Sequence, residues 1–156
     1  MDAQRGKTLF YKRSQFVTHL PLDALYSPSH SWVLRVEDGR FRVGLTKFAT
    51  RMLGEMVNHQ FEMAFEAKVD IGQIIGWIEG FKAISDVYSI VEGKYQGSNP
   101  RLLEEISLVS TQPYGEGWLY EIKGEPDSRC LDVSAYTGVL DATIDKILAD
   151  EKAEDN

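Results

Sequence analysis

The segment Glu79-Gly80-Phe81-Lys82-Ala83-Ile84-Ser85-Asp86 sets one lysine between two carboxylates, three positions before it and four after it. Two short apolar runs flank it, Ile74 to Ile78 and Val87 to Val91. Runs of that length between turn residues read as strands, and two in succession read as a hairpin. Lys82 then stands at the hairpin tip, in solvent. A Schiff-base lysine needs a lowered pKa, usually from desolvation. Glu79 and Asp86 work the other way, because nearby carboxylates favour the protonated amine. The tip suits an amine that carries something in covalent linkage, as a rigid post. Its plain alternative is an ordinary solvated side chain.

Three further motifs accompany the lysine. They are His30-Ser31-Trp32, Val43-Gly44-Leu45-Thr46 and Thr111-Gln112-Pro113-Tyr114-Gly115-Glu116-Gly117-Trp118. Cys130 is the only cysteine, which excludes an internal disulfide and a cysteine-based zinc site. It reads as a free structural or surface thiol. His19, His30 and His59 share no metal-ligand spacing and read as packing or surface residues. Trp77 and Trp118 read as core.

The elements that must position these residues are short. Trp32 to Val36 and Phe41 to Leu45 are strands joined by Asp38-Gly39, a dipeptide that supplies the positive φ of a tight hairpin turn. Thr46 caps a helix reaching Met52 or Leu53, with Phe48, Ala49, Met52 and Leu53 turned inward. Gly54 ends it. Glu55 to Phe65 reads as strand, Val69 to Gly72 as turn and strand, and Ile74 to Phe81 as the strand rising to Lys82. Val87 to Val91 descends, Glu92-Gly93 turns, and Lys94-Tyr95 opens another strand. Asn99-Pro100 starts a helix with Leu102, Leu103 and Ile106 on its apolar side. Trp118 to Ile122 is the last strand. Tyr136, Val139, Leu140, Ile144, Ile147 and Leu148 then recur at helical spacing. Asp132 or Ser134 can cap that helix, and residues 150–156 are expected to fray.

The expected fold is mainly β, a small sandwich or barrel with short peripheral helices and a C-terminal helix. At 156 residues the chain is sized for one domain. The expected division is an N-terminal extension (1–25), a carrier domain (26–126) and a C-terminal helical extension (127–156) packed on it. No apolar run is long enough to span a bilayer, and the start lacks the apolar core of a secretory signal. The expected location is cytoplasmic. A formal net charge of −7 opposes nucleic-acid binding, which depends on neutralising phosphates, and suits solubility or docking to basic faces.

Taken together, the lysine segment and the three motifs resemble the H-protein family of the glycine cleavage system over residues 26–126. The family's lysine motif, Glu-Ser-Val-Lys-Ala-x-Ser-Asp, is matched by Glu79, Lys82, Ala83, Ser85 and Asp86. Its Asp-Pro-Tyr-x-x-Gly-Trp motif corresponds to Gln112, Pro113, Tyr114, Gly117 and Trp118. The resemblance implies a lipoyl-domain-type hybrid barrel-sandwich, and a carrier subunit, not an enzyme, with lipoic acid in amide linkage to Lys82. It implies glycine decarboxylase, aminomethyltransferase and dihydrolipoyl dehydrogenase as partners, and a lipoate ligase or lipoyltransferase for loading. Nucleic acid and membrane are not among the expected partners. The biotin-carrying hairpin, with its lysine between methionines, is not matched by Phe81 and Ala83.

Two departures bear on function. His-Glu-Trp in the family is His30-Ser31-Trp32 here, and valine is replaced by Phe81. His30, Ser31 and Phe81 are thereby the expected arm-docking region. Serine accepts a hydrogen bond but brings no charge to a protonated amine. Two alternatives therefore stand beside the glycine cleavage carrier. One is a lipoyl carrier for another redox system, such as sulfur-compound oxidation, or a lipoyl relay. The other is an unmodified scaffold of the same fold.

Overall fold

The structure is a computed structural model that describes residues 4–154. It opens with a hairpin, β1 (Thr8–Arg13) and β2 (Phe16–Pro21), paired in register from Thr8↔Pro21 to Arg13↔Phe16. From sequence alone this segment is only an extension of mixed character, and the structure makes it a paired hairpin. Phe16, Thr18 and Leu20 alternate inward on β2, which is the period of a half-buried strand. Tyr11 joins them below, while Phe10 and Val17 face solvent.

Six further strands form the main sheet: β3 (Leu25–Tyr26), β4 (Ser31–Glu37), β5 (Arg40–Leu45), β7 (Lys68–Val69), β10 (Val91–Ser98) and β11 (Tyr120–Pro126). Their order is β3-β4-β5-β11-β10-β7. The Asp38-Gly39 turn is present, with Gly39 at φ 71°. A second, three-stranded sheet, β6-β8-β9, holds β6 (Met56–Phe61), β8 (Ile74–Gly80) and β9 (Ile84–Tyr88). Val33, Val43, Tyr120 and Ile122 of the large sheet share one core with Met56, Ile75, Ile78 and Val87 of the small one. The result is an open, sandwich-like β fold with a C-terminal helix, in which apolar faces are removed from water between the sheets.

Several local expectations are corrected. The strand after Lys82 starts at Ile84, not Val87; the exposed Ile84 and Tyr88 hide its alternation. Glu92-Gly93 lies inside β10, not in a turn. Gly93 faces Gly124 across the ladder, and a Cβ at either would strike the opposite backbone. The strand expected over 55–65 ends at Phe61. Asn99-Pro100 opens only a 3-10 turn, Pro100–Leu103, capped by the Asn99 side chain. Leu102 is buried beneath it, but Leu103 is 82% exposed, so the expected apolar side is a single residue wide there. A short helix, α2 (Leu108–Thr111), follows.

The C-terminal helix, α3 (Val133–Glu154), extends beyond residue 150, where fraying was expected. Asp132 Oδ1 caps it, accepting from Ala135 N at 2.8 Å. Tyr136, Leu140 and Ile144 bury one stripe against the β1–β2 hairpin, Tyr26 and Trp32. At the rim Arg13 binds Asp145 at 2.8 Å and Asp141 at 3.2 Å. Among the described residues no helix is long and apolar enough to cross a membrane.

Candidate functional site

Lys82 is the middle residue of the three-residue connection between β8 and β9. The turn is closed by Gly80 N donating to Ala83 O at 2.9 Å. A second set of bonds ties it to helix α1 (Lys47–Leu53) and the residues just after it. Lys82 N donates to Leu53 O at 2.9 Å, and Phe81 N donates to Glu55 O at 3.0 Å. The carbonyl of Leu53 is one of those a helix end leaves without an internal partner, so the lysine turn acts as part of the cap. Gly54, at φ 82°, ends α1, as the sequence predicts. A side chain there would come within 2.9 Å of Lys82 Cγ, and one at Gly80 would drive into the Leu53 carbonyl. The two glycines let the turn and the helix end meet backbone to backbone. The side chain of Lys82 stays exposed, with Nζ 3.4 Å from the Arg51 carbonyl oxygen.

Beside this turn lies a cleft of about 320 Å³. One wall is α1, with Phe48, Ala49, Met52 and Leu53; the opposite wall is β9, with Ser85 and Asp86. Ser29, His30 and Ser31 close one end. Of the sequence-expected residues, His30, Ser31, Ser85 and Asp86 therefore meet at one cleft. Phe81 does not line it: its ring is 75% exposed on the tip itself. Glu79 pairs with Ile84 at the base of the turn. Met52, expected to face inward, is half exposed because it forms the lip of the cleft, and Thr50 takes the buried position on α1 instead.

The motifs that are distant in sequence are joined here. Trp32 Nε1 donates to Pro113 O at 2.8 Å. Gly44 lies flat against the Trp32 indole, leaving no room for a Cβ. Lys47 N donates to the Tyr114 hydroxyl at 3.1 Å, which also sits 2.9 Å from Thr18 Oγ1. Thr46 caps α1 through Ala49 N. Its hydroxyl accepts from Tyr136 Oη at 2.9 Å, and Tyr136 Oη lies 2.8 Å from His30 Nδ1. That order has His30 donating from Nδ1. His30 is held at φ 74°, in a turn closed by His30 N to Ser27 O at 2.9 Å and Ser27 N to Ser31 O at 2.8 Å. Burial pushes its pKa down to about 4, so the imidazole is neutral at pH 7. Sequence reading missed the His30–Tyr136–Thr46 chain, since its members are separated by up to 106 positions.

Trp118 is half-buried, its ring covered by the Arg42 guanidinium at 4.4 Å, a cation–π arrangement. Trp77 is also only half-buried. Cys130 is half-buried with its thiol pushed up to about 11 by burial, which keeps it from forming a reactive thiolate at neutral pH.

The sequence model described as Glycine cleavage H-protein matches residues 24–138. A glycine cleavage system H protein from Corynebacterium jeikeium is 37% identical over 123 residues, covering 77% of this chain and 96% of that one. Another, from Pseudoalteromonas atlantica, is 36% identical over 126 residues, covering 81% and 92%. The crystal structure of a glycine cleavage system H protein from Mycobacterium marinum superposes with a TM-score of 0.69 at 30% identity. It covers 76% of this chain and 97% of its own. On these matches the chain belongs to the glycine cleavage H-protein family, a family of carrier subunits rather than of enzymes.

Proposed function

We propose that this chain is a lipoyl carrier of the glycine cleavage system, with lipoic acid in amide linkage to Lys82. In this reading it accepts the aminomethyl group of glycine from glycine decarboxylase and presents it to aminomethyltransferase. It then passes electrons to dihydrolipoyl dehydrogenase, and a lipoate ligase or lipoyltransferase loads it in the first place. The reading places the carrier domain at 26–126, between additions at 1–25 and 127–156, in the cytoplasm.

The observation that carries the reading is the attachment of the lysine turn to α1. An exposed amine sits on a backbone pinned to the end of α1 by Leu53 O and Glu55 O, and Leu53 and Ser85 close by line an apolar cleft. Bound there, lipoic acid supplies the redox and group-transfer chemistry. The chain supplies position and a place to shelter the arm. Phe48, Met52, Leu53 and Val87 offer the cleft an apolar lining, and Asp86 offers a carboxylate to a protonated amine. Neutral His30 adds no repelling charge. Glu79 and Asp86 bracket Lys82 as recognition groups for the loading enzyme.

The test is a reconstituted system with the lipoylated chain, the three partner enzymes and labelled glycine. Label transferred to the chain and onward to folate supports the reading. No aminomethyl loading, with lipoylation intact by mass, refutes the glycine assignment. In that case the second reading gains, a lipoyl carrier for another redox system. Ser31 favours it, because a hydroxyl lines the cleft where the family places a carboxylate. Aminomethyl loading gained only on Ser31→Glu would decide for it.

A further inference from the structure

The outer face of the large sheet is covered over only part of its width. Tyr120 and Ile122 of β11 enter the sandwich core, so Glu121 and Lys123 turn the other way. On that outer face Trp32 and Leu34 of β4 pack with α3 and the β1–β2 hairpin. Over β11, β10 and β7 the face is open, and Lys123, Lys94 and Lys68 stand exposed on it. Lys94 is the register partner of both Lys123 and Lys68, and Lys123 pairs on its other side with Arg40 of β5. Four cations thus form one row across four neighbouring strands. Like charges directly opposite one another destabilise a sheet. Glu37 and Glu121 answer Arg40. Lys94 and Lys123 have no ion pair among the described residues, and Lys68 reaches Asp70 only at 3.9 Å. The next pair along the strands, Glu92 opposite Glu125, is acidic, so the cations make a narrow stripe.

The end of α3 has the opposite character. Its buried stripe stops at Ile144, and residues 148–154 are all exposed. Asp150, Glu151 and Glu154 lie there, with Lys152 as the basic residue of the last turn. Carboxylates at a helix C-terminus stand against its dipole, so this end gains from cations supplied by another surface. Residues four apart on a helix, as Asp150 and Glu154 are, stand about 5–6 Å apart, close to the ~4.8 Å between neighbouring strands. We propose that the acidic end of α3 in one copy of this chain seats on the row of Lys68, Lys94 and Lys123 in a second copy. Each copy carries both halves of the contact, so a reciprocal exchange closes a two-fold dimer. The proposal is independent of the lipoyl-carrier reading.

The test is sedimentation of the full chain over a concentration series, at low and at high salt. The average mass is expected to rise with concentration at low salt and to return to that of the monomer at high salt, because exposed charges are screened. Lys94→Glu with Lys123→Glu should weaken association at least several-fold, and so should Asp150→Lys with Glu154→Lys. Mixed together, the two double variants should associate again, since each then offers a helix end opposite in charge to the other's row. Lys94→Gln with Lys123→Gln should also weaken association while its thermal midpoint stays at or above the parent's, which separates a lost contact from a lost fold. A monomer at every concentration at low salt overturns the proposal. Association that neither double variant weakens, or that mixing does not restore, belongs to another surface and overturns it too.

Discussion

Gly54 and Gly80 decide how closely the lysine turn can approach helix α1. A Cβ at Gly80 meets the backbone of Leu53, which cannot rotate aside as a side-chain tip can. Gly80→Ala is therefore expected to cost about 1–3 kcal/mol of stability, the range for overpacking a filled site. It should also slow loading of Lys82, because the turn must lift off the helix end; urea unfolding and a ligase time course measure the two. His30 gives a second residue-scale prediction. Its pKa is near 4 in the folded chain against an ordinary 6.5, so the unfolded chain binds that proton first. The stability linked to His30 is present above pH 6.5 and is lost as pH falls towards about 4. His30→Asn, which tolerates the positive φ, should flatten the stability curve across that window in urea titrations at stepped pH. Lys82, Ser85 and Asp86 were legible in the sequence because they are neighbours in a short motif. The partners of His30 were not, because burial and a hydrogen bond to Tyr136 depend on how α3 docks.

The β1–β2 hairpin and α3 make one supporting element for α1. Phe16 meets Phe48 edge to face at 5.6 Å, and Phe48 is a wall of the arm cleft. Phe16→Ala is expected to cost about 3 kcal/mol or more, as for other buried aromatic truncations. Arg13→Ala should change stability little despite its two ion pairs, since exposed pairs are largely screened. Thermal unfolding of the two variants separates packing from charge as the cause of docking. The amphipathic stripe of α3 was legible from its spacing. The hairpin was not: Ser14 takes a positive φ of 55° without the Gly or Asn that marks such a tight turn, and Phe10 and Val17 place apolar groups on the exposed face. Glu92-Gly93 misled for a related reason. Its glycine serves close strand crossing at Gly124 rather than a turn.

At the scale of the molecule, two cores hold the site between them. The sandwich core positions β8 and β9, and the second core of Tyr26, Trp32, Phe48, Tyr136 and Leu140 positions α1. The lysine turn ties the β8–β9 hairpin to the end of α1 through Leu53 and Gly54. A carrier needs that rigidity at its base and freedom beyond it. The central claim is that Lys82 carries the lipoyl group. Its most direct test is the intact mass of the full chain after co-expression with a lipoate ligase and lipoate, beside a Lys82→Arg control. A gain of one lipoyl group in the parent and none in the control is the predicted result. An unmodified parent, with a known carrier fully modified by the same ligase, would contradict it and leave the chain an unloaded scaffold of the H-protein fold.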